Sequence, residues 1–483
     1  MAWQWTGGPS GVNSLKILLL RPSFTINRYS RSVPLGYLVL AAYLREKGHT
    51  PFILDMLFPE VTQEGVDRFI SENGIEIIGI GCMSCEYHEA VKQARVMKER
   101  HPHLPLVFGG AHPTGNPRQC LDTGVVDYAV CGEGEEALTA LLDALERDES
   151  LSGIRGLWFY NEGKLVANGK AAPVDLEALP MPAYDMVDLN AYFAMDPPWH
   201  FPKSRRVIQF MTSRGCPFKC SYCHRLHGKQ ARLLSATKVL DQMELLHREY
   251  GVEEFIIVDD IFNVDLKRAK AICRGIVERG LKIHIQLPNG VRGDVFDEEL
   301  MELLAKAGTH YLAVAIETAT PRLQKLIRKN LKIDVALNTV RLAKKYKIEV
   351  GGFFMIGFPS ETRHEVLSSI QLALRNPFDV VFFSIVTPYE GTEIRTDILN
   401  GVFGPEAKAA LEADPEAEFP VIYNDSLTPE SLFSIRRKAY LKFYLKPSRM
   451  WNLIKKMRHP VYAKQIIVAV FRRLFKNGEV TVT

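Results

Sequence analysis

The chain has 483 residues, of which 47% are hydrophobic and 24% are charged, and this ordinary globular composition leaves room for about two to four domains. The net charge of +4 is too small to indicate a nucleic-acid partner, and we find neither a basic segment interleaved with aromatic residues nor a phosphate-binding glycine loop. Because no secretory signal and no apolar run of about 18 residues is found, we expect a cytoplasmic protein. The 8 cysteines are too sparse for a disulfide framework.

The first third of the chain alternates short apolar segments with amphipathic ones. We predict strands at 16–21, 50–55, 75–81, 105–108 and 128–130, and helices over 35–47 and from about 86 to 100. This alternation predicts a doubly wound parallel sheet, which binds ligands at the carboxyl ends of its strands. Candidate contacts for a large ligand lie at those strand ends, where the glycines also serve tight turns: Ser84, Gly109, Gly110, His112, Gly132 and Gly134.

Two other features of this region have ordinary explanations. Cys82 and Cys85 form a CxxC pair, but two thiols alone are better explained as small buried side chains than as a metal or redox site. His88 is expected to be an ordinary helix residue. Residues 150–205 are predicted to be a linker with a hairpin around 161–163 and a proline-rich segment at 179–185.

Cys216, Cys220 and Cys223 form a CxxxCxxC pattern directly after the apolar run 207–211. Three thiolates hold a 4Fe-4S cluster while leaving one iron open to a small-molecule ligand. A structural zinc site needs a fourth ligand, and His224 is poorly spaced for that role because it follows Cys223 directly. We therefore favour an iron–sulfur cluster over zinc or a chance pattern.

After the cysteines, strand and helix segments repeat with the rhythm of a parallel barrel. About six such units are expected from residue 206 to residue 396, and polar residues at their strand ends should share one site on the carboxyl-terminal rim. The candidates at those ends are Asp259, Asp260, Arg292, Glu317, Gly357 and Phe358.

With the aromatic residue Tyr222 just before its third cysteine, the loop resembles that of the radical S-adenosylmethionine (SAM) superfamily. The resemblance implies that SAM chelates the fourth iron of a 4Fe-4S cluster and is cleaved reductively to a 5′-deoxyadenosyl radical, which takes hydrogen from the substrate. It also implies a partial (β/α)6 barrel, over residues 206–425.

The same resemblance implies roles at the rim of that barrel. Asp259 or Asp260 would accept from the methionine amino group, and Glu317 would contact the ribose or the amino acid part of SAM. The segment with Gly357 and Phe358 would line the adenine. Arg292 would pair with the methionine carboxylate or with an anion of the substrate.

The glycine-containing segments of the first third resemble the cobalamin-binding, Rossmann-like domain that precedes the radical domain in one branch of this superfamily, here over residues 15–149. The resemblance also includes Pro34 and Gly36, and it implies cobalamin as a third cofactor. The DxHxxG motif, whose histidine ligates cobalt in better-known cobalamin proteins, is absent, so no lower ligand to cobalt is predicted.

Together these resemblances imply an enzyme similar to anaerobic magnesium-protoporphyrin IX monomethyl ester cyclase and to cobalamin-dependent radical methylases. Methylation of an unactivated carbon is our first expectation. Oxidative cyclisation or carbon–carbon coupling on a tetrapyrrole or a lipid is the alternative, and a non-catalytic cobalamin or redox sensor is the second alternative. The expected partners are a small-molecule or lipid substrate and an external one-electron reductant of the flavodoxin or ferredoxin type.

The carboxyl-terminal region, residues 426–483, carries 13 Lys or Arg and no Asp or Glu between Ser431 and Gly478. Aromatic and aliphatic residues are interleaved with these charges, so helices here would have an apolar face and a cationic one. One interpretation is a helical cap packed on the barrel. The other is a peripheral membrane contact, in which the helices lie on anionic lipid and admit a hydrophobic substrate.

Overall fold

The computed structural model describes residues 14–24, 32–195, 202–224, 226–413 and 427–457. The described residues form two compact units. The first contains those up to residue 195 together with Leu226–Gly228, and the second contains the remainder.

The first unit is built on a seven-stranded sheet with the strand order β2-β1-β3-β4-β5-β6-β7. The five strands β1 to β5 are parallel, and the pair β6 and β7 adds an antiparallel edge. The strands are β1 (Lys16–Arg21), β2 (Thr50–Asp55), β3 (Ile77–Gly81), β4 (Leu106–Gly109), β5 (Tyr128–Val130), β6 (Leu157–Asn161) and β7 (Lys164–Ala167).

Helices cover both faces of this sheet because its strands are apolar on both sides. One core contains Leu18 and Phe108, and the other contains Ile17 and Leu141. The doubly wound, Rossmann-like arrangement is as the sequence predicts. The helices are α1 (Leu35–Glu46), α2 (Gln63–Asn73), α3 (Tyr87–Arg100), α4 (Ala111–Gly115), α5 (Pro117–Leu121), α6 (Gly134–Arg147) and α7 (Leu189–Ala194).

The second unit contains a six-stranded parallel sheet with the order β8-β11-β12-β13-β14-β15. Among the described residues β15 does not pair with β8, so the sheet is an open, partial barrel of the predicted kind. Its strands are β8 (Val207–Phe210), β11 (Glu254–Ile257), β12 (His284–Val291), β13 (Thr309–Glu317), β14 (Glu349–Ile356) and β15 (Val380–Ile385), and a separate small sheet pairs β9 (Ser213–Arg214) with β10 (Arg232–Leu233).

Helices alternate with the strands of the second sheet and continue after its last strand. They are α8 (Ala236–Tyr250), α9 (Leu266–Glu278), α10 (Glu298–Lys306), α11 (Pro321–Leu326), α12 (Ile333–Lys345), α13 (Arg363–Arg375), α14 (Glu393–Leu399), α15 (Pro405–Glu412), α16 (Pro429–Tyr444) and α17 (Pro447–Met457). In the part of the chain that the structure describes, no helix has both the length and the apolar character needed to cross a bilayer.

Helix α16 covers the last strand of the sheet. The hydroxyl of Tyr440 accepts a hydrogen bond of 2.9 Å from the backbone N–H of Phe383 on β15. After α16, Lys446 Nζ and Arg449 Nη2 donate to carbonyl oxygens at the end of α13, including those of Leu374 and Asn376, which have no intrahelical partner. Two cationic side chains of the tail therefore bind a helix of the same unit. The predicted tail beyond residue 457 lies outside the described residues.

A few boundaries differ from the sequence prediction. The third strand begins at Ile77 instead of residue 75, and α1 ends at Glu46. Strand β12 continues to Val291, directly before the predicted strand-end residue Arg292. The hairpin of the predicted linker is β6 and β7, and β6 pairs with β5 so that the hairpin continues the first sheet.

Candidate active site

The three cysteines lie on one loop that follows the first strand of the second sheet. Cys216 and Cys220 are partly exposed and Cys223 is exposed. Ser221, between them, is buried, and its backbone N–H donates to the carbonyl of Ile327 while its carbonyl accepts from the N–H of Ile394. The loop is thus held between the end of α11 and the start of α14. Three thiols on one fixed loop fit a 4Fe-4S cluster with one open iron.

The two adjacent aspartates after β11 fasten the segment that leads into this loop. Asp259 is 3% exposed and accepts hydrogen bonds from the Thr212 N–H at 2.6 Å, the Thr212 hydroxyl at 2.5 Å and the Ser213 hydroxyl at 2.7 Å. Burial raises the pKa of Asp259, and these hydrogen bonds oppose the shift. Asp260 is exposed and accepts at 2.7 Å from the Gly215 N–H. Asp260 therefore retains more room than Asp259 for a ligand.

Beside the cysteine loop, three polar side chains form a buried cluster. Lys329 Nζ lies 3.1 Å from Glu317 Oε1 and 3.3 Å from the hydroxyl of Tyr222, and that hydroxyl donates to Glu317 Oε1 at 3.1 Å. Glu317 is 6% exposed and Lys329 is 8% exposed. The carboxylate is therefore paired with a cation where water is largely excluded.

Lys329 was not predicted from the sequence. It belongs to the short segment after α11, and only the fold brings it to Glu317 at the end of β13. Burial raises the pKa of the Cys216 thiol, and the Lys329 ammonium acts in the opposite direction. The Lys329 ammonium thus opposes the effect of burial at Cys216 and Cys223 and favours their thiolate forms, which are the forms that bind iron.

Glu317 has a backbone conformation that is unusual for a residue other than glycine. Its φ is +68°, in the left-handed region. Gln324 supports this turn, because its amide donates at 2.8 Å to the carbonyls of both Ile316 and Thr318 on either side of Glu317. The arrangement aims the Glu317 carboxylate at Tyr222 and Lys329.

The segment after β14 packs against the aromatic residue of the cysteine loop. The ring of Phe358 meets that of Tyr222 edge to face at a centroid distance of 6.1 Å. Glu361 fixes this segment, because its Oε2 accepts from the N–H groups of Gly357 at 2.6 Å and Phe358 at 3.0 Å. Glu361 is fully buried, and burial raises its pKa to about 8. The sequence offers no local signal for this role of Glu361.

Arg292 is already engaged within the second unit. Its guanidinium pairs with Asp294 at 2.8 Å, donates to the carbonyl of Lys329 at 2.9 Å and lies 3.8 Å from the ring centre of Phe218. These contacts place Arg292 against the cysteine loop, where it joins Phe218 to the segment that carries Lys329.

In the first unit, the predicted ligand contacts divide into two groups. A Cβ atom built on Gly36 or on Gly109 would meet no atom within 4 Å, so both positions leave open space. Gly110 has φ +102° and its Cβ would lie 2.9 Å from the Cys82 carbonyl oxygen, and Gly132 has φ +99°. The backbone conformation alone explains why glycine occupies positions 110 and 132, without a ligand.

The remaining predicted contacts of the first unit lie in its connecting segments. His112 is buried, stacks on Tyr87 at 4.0 Å and lies 3.0 Å from Gln119 through Nε2. Gly134 begins α6, and its Cβ would lie 3.2 Å from the Leu40 side chain. Two others stand at the start of helical segments, Pro34 before α1 and Ser84 after β3.

His88 is exposed, and Cys82 is buried while Cys85 is partly exposed. Burial raises the pKa of the Cys82 thiol well above its usual value. Buried, protonated thiols are the ordinary state of small core side chains. This environment is the one expected from the sequence for Cys82, whereas Cys85 is not fully buried.

Two family profiles match the chain, that of the B12 binding domain over residues 24–142 and that of the Radical SAM superfamily over residues 210–373. An uncharacterized methyltransferase of Pyrococcus horikoshii is 32% identical over 445 residues, which cover 90% of this chain and 93% of the relative. The cytidylyl-2-hydroxyethylphosphonate methyltransferase of Streptomyces wedmorensis is 29% identical over 83% of this chain and 85% of its own.

A third relative has a different named activity. The anaerobic magnesium-protoporphyrin IX monomethyl ester cyclase of a Synechocystis species is 26% identical over 87% of this chain and 83% of its own length.

Two solved structures share the fold. The radical SAM methyltransferase TsrM of Kitasatospora setae, with cobalamin and a 4Fe-4S cluster bound, has a TM-score of 0.66 at 21% identity over 80% of this chain and 75% of its own. The cobalamin-dependent radical SAM enzyme OxsB has a TM-score of 0.75 at 15% identity over 95% of this chain and 75% of its own. At these identities the likeness concerns the fold alone.

Proposed function

Because the chain belongs to the branch of the radical SAM superfamily that carries a B12 binding domain, we propose that it methylates an unactivated carbon of a small molecule. The observation that carries the choice of methylation is the methyltransferase relative that is 32% identical over 90% of this chain. When bound, the cluster, SAM and cobalamin supply the electron, the hydrogen-abstracting radical and the methyl group.

The residues of the second unit have separable tasks in this proposal. Cys216, Cys220 and Cys223 hold the cluster. Tyr222 and the backbone of the segment with Gly357 and Phe358 line the adenine. The Glu317 carboxylate, held by Lys329, accepts from a hydroxyl or ammonium group of SAM. Asp260 is the exposed strand-end carboxylate for the methionine amino group. Asp259 orients the cysteine loop through its hydrogen bond to Thr212, in the segment that leads into the loop.

Arg292 keeps a role at the same rim. Its pairing with Asp294 and its contact with Phe218 fix the guanidinium beside the cysteine loop. From there it can offer a further N–H group to the methionine carboxylate or to an anionic group of the substrate.

In the first unit, cobalamin would approach the backbone where the structure leaves space, at Gly36 and Gly109. Pro34, Ser84, His112, Gly110, Gly132 and Gly134 shape the segments around it. Thr114 ties two of these segments together, because its hydroxyl donates to the Gly110 carbonyl at 2.7 Å and accepts from the Gly132 N–H at 2.9 Å.

The test is the stoichiometry of SAM consumption by protein purified without oxygen from cells supplied with cobalamin. We expect cobalt and iron in the protein, and 5′-deoxyadenosine and S-adenosylhomocysteine in equal amounts when cell extract provides substrate. The Cys220→Ala variant should lose iron and 5′-deoxyadenosine formation, whereas Cys85→Ala should retain both. An active wild-type protein without cobalt would overturn the methylation proposal.

Oxidative cyclisation is the second candidate, favoured by the cyclase relative that covers 87% of this chain. The same assay separates the two reactions. A cyclase would form 5′-deoxyadenosine with no stoichiometric S-adenosylhomocysteine, because no methyl group is transferred.

The reaction needs an external electron donor, and we propose an acidic protein of the flavodoxin or ferredoxin type. Lys219 is exposed within the cysteine loop, and Lys325 is exposed two residues before Ile327, whose carbonyl binds that loop. The neighbouring Arg328 is paired with Glu393. Positive charge around the loop suits a partner with an acidic surface.

We also propose a peripheral membrane contact through the region after α16. Leu445, Met450 and Trp451 are 62%, 41% and 53% exposed, which gives this surface an apolar component beside the basic residues. Because Lys446 and Arg449 bind α13, the cationic contribution would come from other residues of the tail.

A further inference from the structure

The last strands of the second sheet have one covered face and one that is partly open. Phe383 faces the helices, where its ring lies 5.5 Å from that of Tyr440 on α16. Since successive side chains of a strand alternate between faces, the neighbouring Phe382 points to the inside of the open barrel. There its ring meets that of Phe353 at 5.3 Å.

The strand register adds three side chains to this inner face. Ala315 pairs with Phe353 and Phe353 with Phe382, and one layer nearer the carboxyl ends Met355 pairs with Ser384. Phe382 is buried, Ala315, Phe353 and Met355 are partly exposed, and Ser384 is exposed. We call these five residues the inner wall.

The inner wall continues into the site that holds the cysteines. Met355 packs against an apolar cluster that includes Phe358 and Ile327, and Tyr222 packs against the same cluster. Tyr222 belongs to the cysteine loop, and the Ile327 carbonyl binds that loop. A molecule on the inner wall would therefore lie next to the reacting groups.

The chemistry of the inner wall selects for an apolar molecule. Its five side chains carry no charge and one hydroxyl, that of Ser384, which has no hydrogen-bond partner among the described residues. An ionised group placed against such a surface would lose its hydration without compensation. Apolar groups gain from the same contact, and paired aromatic rings favour flat or edge-on hydrocarbon partners.

We propose that the inner wall binds an uncharged hydrocarbon part of the substrate and that Ser384 Oγ makes a single hydrogen bond to it. This inference rests on the proposed radical SAM function and adds a substrate class to it. Charged groups of the substrate, where it has them, lie away from Phe353 and Phe382.

The test is equilibrium binding of two probes to the anaerobically reconstituted holoenzyme, protoporphyrin IX dimethyl ester as the uncharged apolar probe and cytidine monophosphate as the charged polar one. We expect the apolar probe to bind, and Ser384→Asp and Phe353→Asp to weaken its binding at least tenfold. Phe353→Leu should stay within about threefold because it keeps the apolar surface. Val402→Asp, at a surface position that is 65% exposed, should bind the probe as the wild type does.

Ser384 is exposed, so Ser384→Asp is expected to fold even where Phe353→Asp does not. Failure of the apolar probe to bind, undiminished binding by Ser384→Asp, or tighter binding of cytidine monophosphate would each overturn the inference. Iron content and 5′-deoxyadenosine formation, measured on the same samples, report on the radical SAM function independently. Normal values there with a failed probe experiment would reject the substrate class alone.

Discussion

Lys329 Nζ and Glu317 Oε1 lie 3.1 Å apart beside the cysteine loop, and both side chains are more than nine-tenths buried. The two residues come from different segments, Glu317 from the end of β13 and Lys329 from the segment after α11. The pair joins two elements of the rim and, through the hydroxyl of Tyr222, reaches the loop itself. The charge of each residue is therefore necessary for the other to remain buried as an ion.

We predict that Lys329→Met destabilises the protein by about 3–5 kcal/mol, because it leaves the buried Glu317 carboxylate without its cation. The measurement is the free energy of unfolding by urea, compared at a fixed metal load. The double variant Lys329→Met with Glu317→Gln should recover part of the loss, since it removes both charges.

The matched control is Lys345→Met. Lys345 pairs with Glu298 at the surface, where the lysine side chain is 62% exposed. Exposed ion pairs contribute little to stability because water and salt screen them, so this variant should unfold nearly as the wild type does. Equal losses in Lys329→Met and Lys345→Met would contradict the prediction.

Glu361 gives a pH dependence with a defined sign. Its pKa is raised from 4.5 to about 8 by burial, so the native state holds a proton that the unfolded state has already lost in this range. The contribution of Glu361 to stability is thus fully present below pH 4.5 and is lost as the pH rises to about 8. Glu361→Gln has no proton to lose, so its stability relative to wild type should rise between these pH values, by at most about 1.4 kcal/mol per pH unit.

Glu365→Gln is the control, because the pKa of Glu365 is shifted in the opposite direction to that of Glu361. Hydrogen bonds from Arg322 lower the pKa of Glu365 to about 2, so its stabilising contribution is present above pH 4.5 and is lost as the pH falls towards 2. The measurement is the free energy of unfolding of Glu361→Gln between pH 4 and pH 8 and of Glu365→Gln between pH 2 and pH 5, each compared with wild type. A flat difference between Glu361→Gln and wild type from pH 4 to pH 8 would show that Glu361 is already ionised in the native protein.

Charge reversal next to the cysteine loop should separate electron delivery from catalysis. We expect the double variant Lys219→Glu with Lys325→Glu to lower the rate of cluster reduction by reduced flavodoxin at least tenfold at low salt, because like charges oppose the encounter. Reduction by dithionite, a small molecule that needs no docking surface, should be unaffected. Lys282→Glu changes an exposed lysine at the amino end of β12 and should behave as wild type.

The secondary structure and the cysteine loop were predictable from the sequence because both depend on local patterns. Short apolar runs define strands such as 16–21, and the spacing of Cys216, Cys220 and Cys223 identifies the loop without any structure. The pairing of Lys329 with Glu317 was not predictable, because it depends on how two distant segments pack. The hydrogen bonds of Asp259 were not predictable for the same reason. Its position in the chain marks a strand end, but does not indicate that the hydroxyls of Thr212 and Ser213 donate to its carboxylate.

Two shortened chains test the membrane contact proposed for the tail. We predict that a chain ending at residue 457 folds with wild-type stability but floats less with vesicles containing anionic lipid, because it has lost the basic residues beyond α17. A chain ending at residue 428 should lose stability as well, since it lacks α16 and the bond from Tyr440 to β15. Flotation of the chain ending at 457 that equals wild type would reject the membrane contact.

Gly109 and Gly110 provide the sharpest test of cobalamin binding, because a side chain would meet open space at Gly109 and the protein backbone at Gly110. Space is open around Gly109, at the end of β4, so Gly109→Val should change the free energy of unfolding by no more than about 0.5 kcal/mol. The valine side chain would nevertheless occupy the space that a corrin ring needs. We therefore expect Gly109→Val to bind hydroxocobalamin at least tenfold more weakly in an absorption titration.

Gly110→Ala should show the reverse pattern of effects. Its Cβ would lie 2.9 Å from the Cys82 carbonyl oxygen at a φ of +102°, so the variant should lose about 1–3 kcal/mol of stability through backbone strain. The fraction that remains folded should still bind cobalamin, because the alanine methyl group points at Cys82 and not into the open space. If Gly109→Val instead binds hydroxocobalamin as tightly as wild type, the ligand does not use the carboxyl end of β4, and the contact must be sought at Gly36.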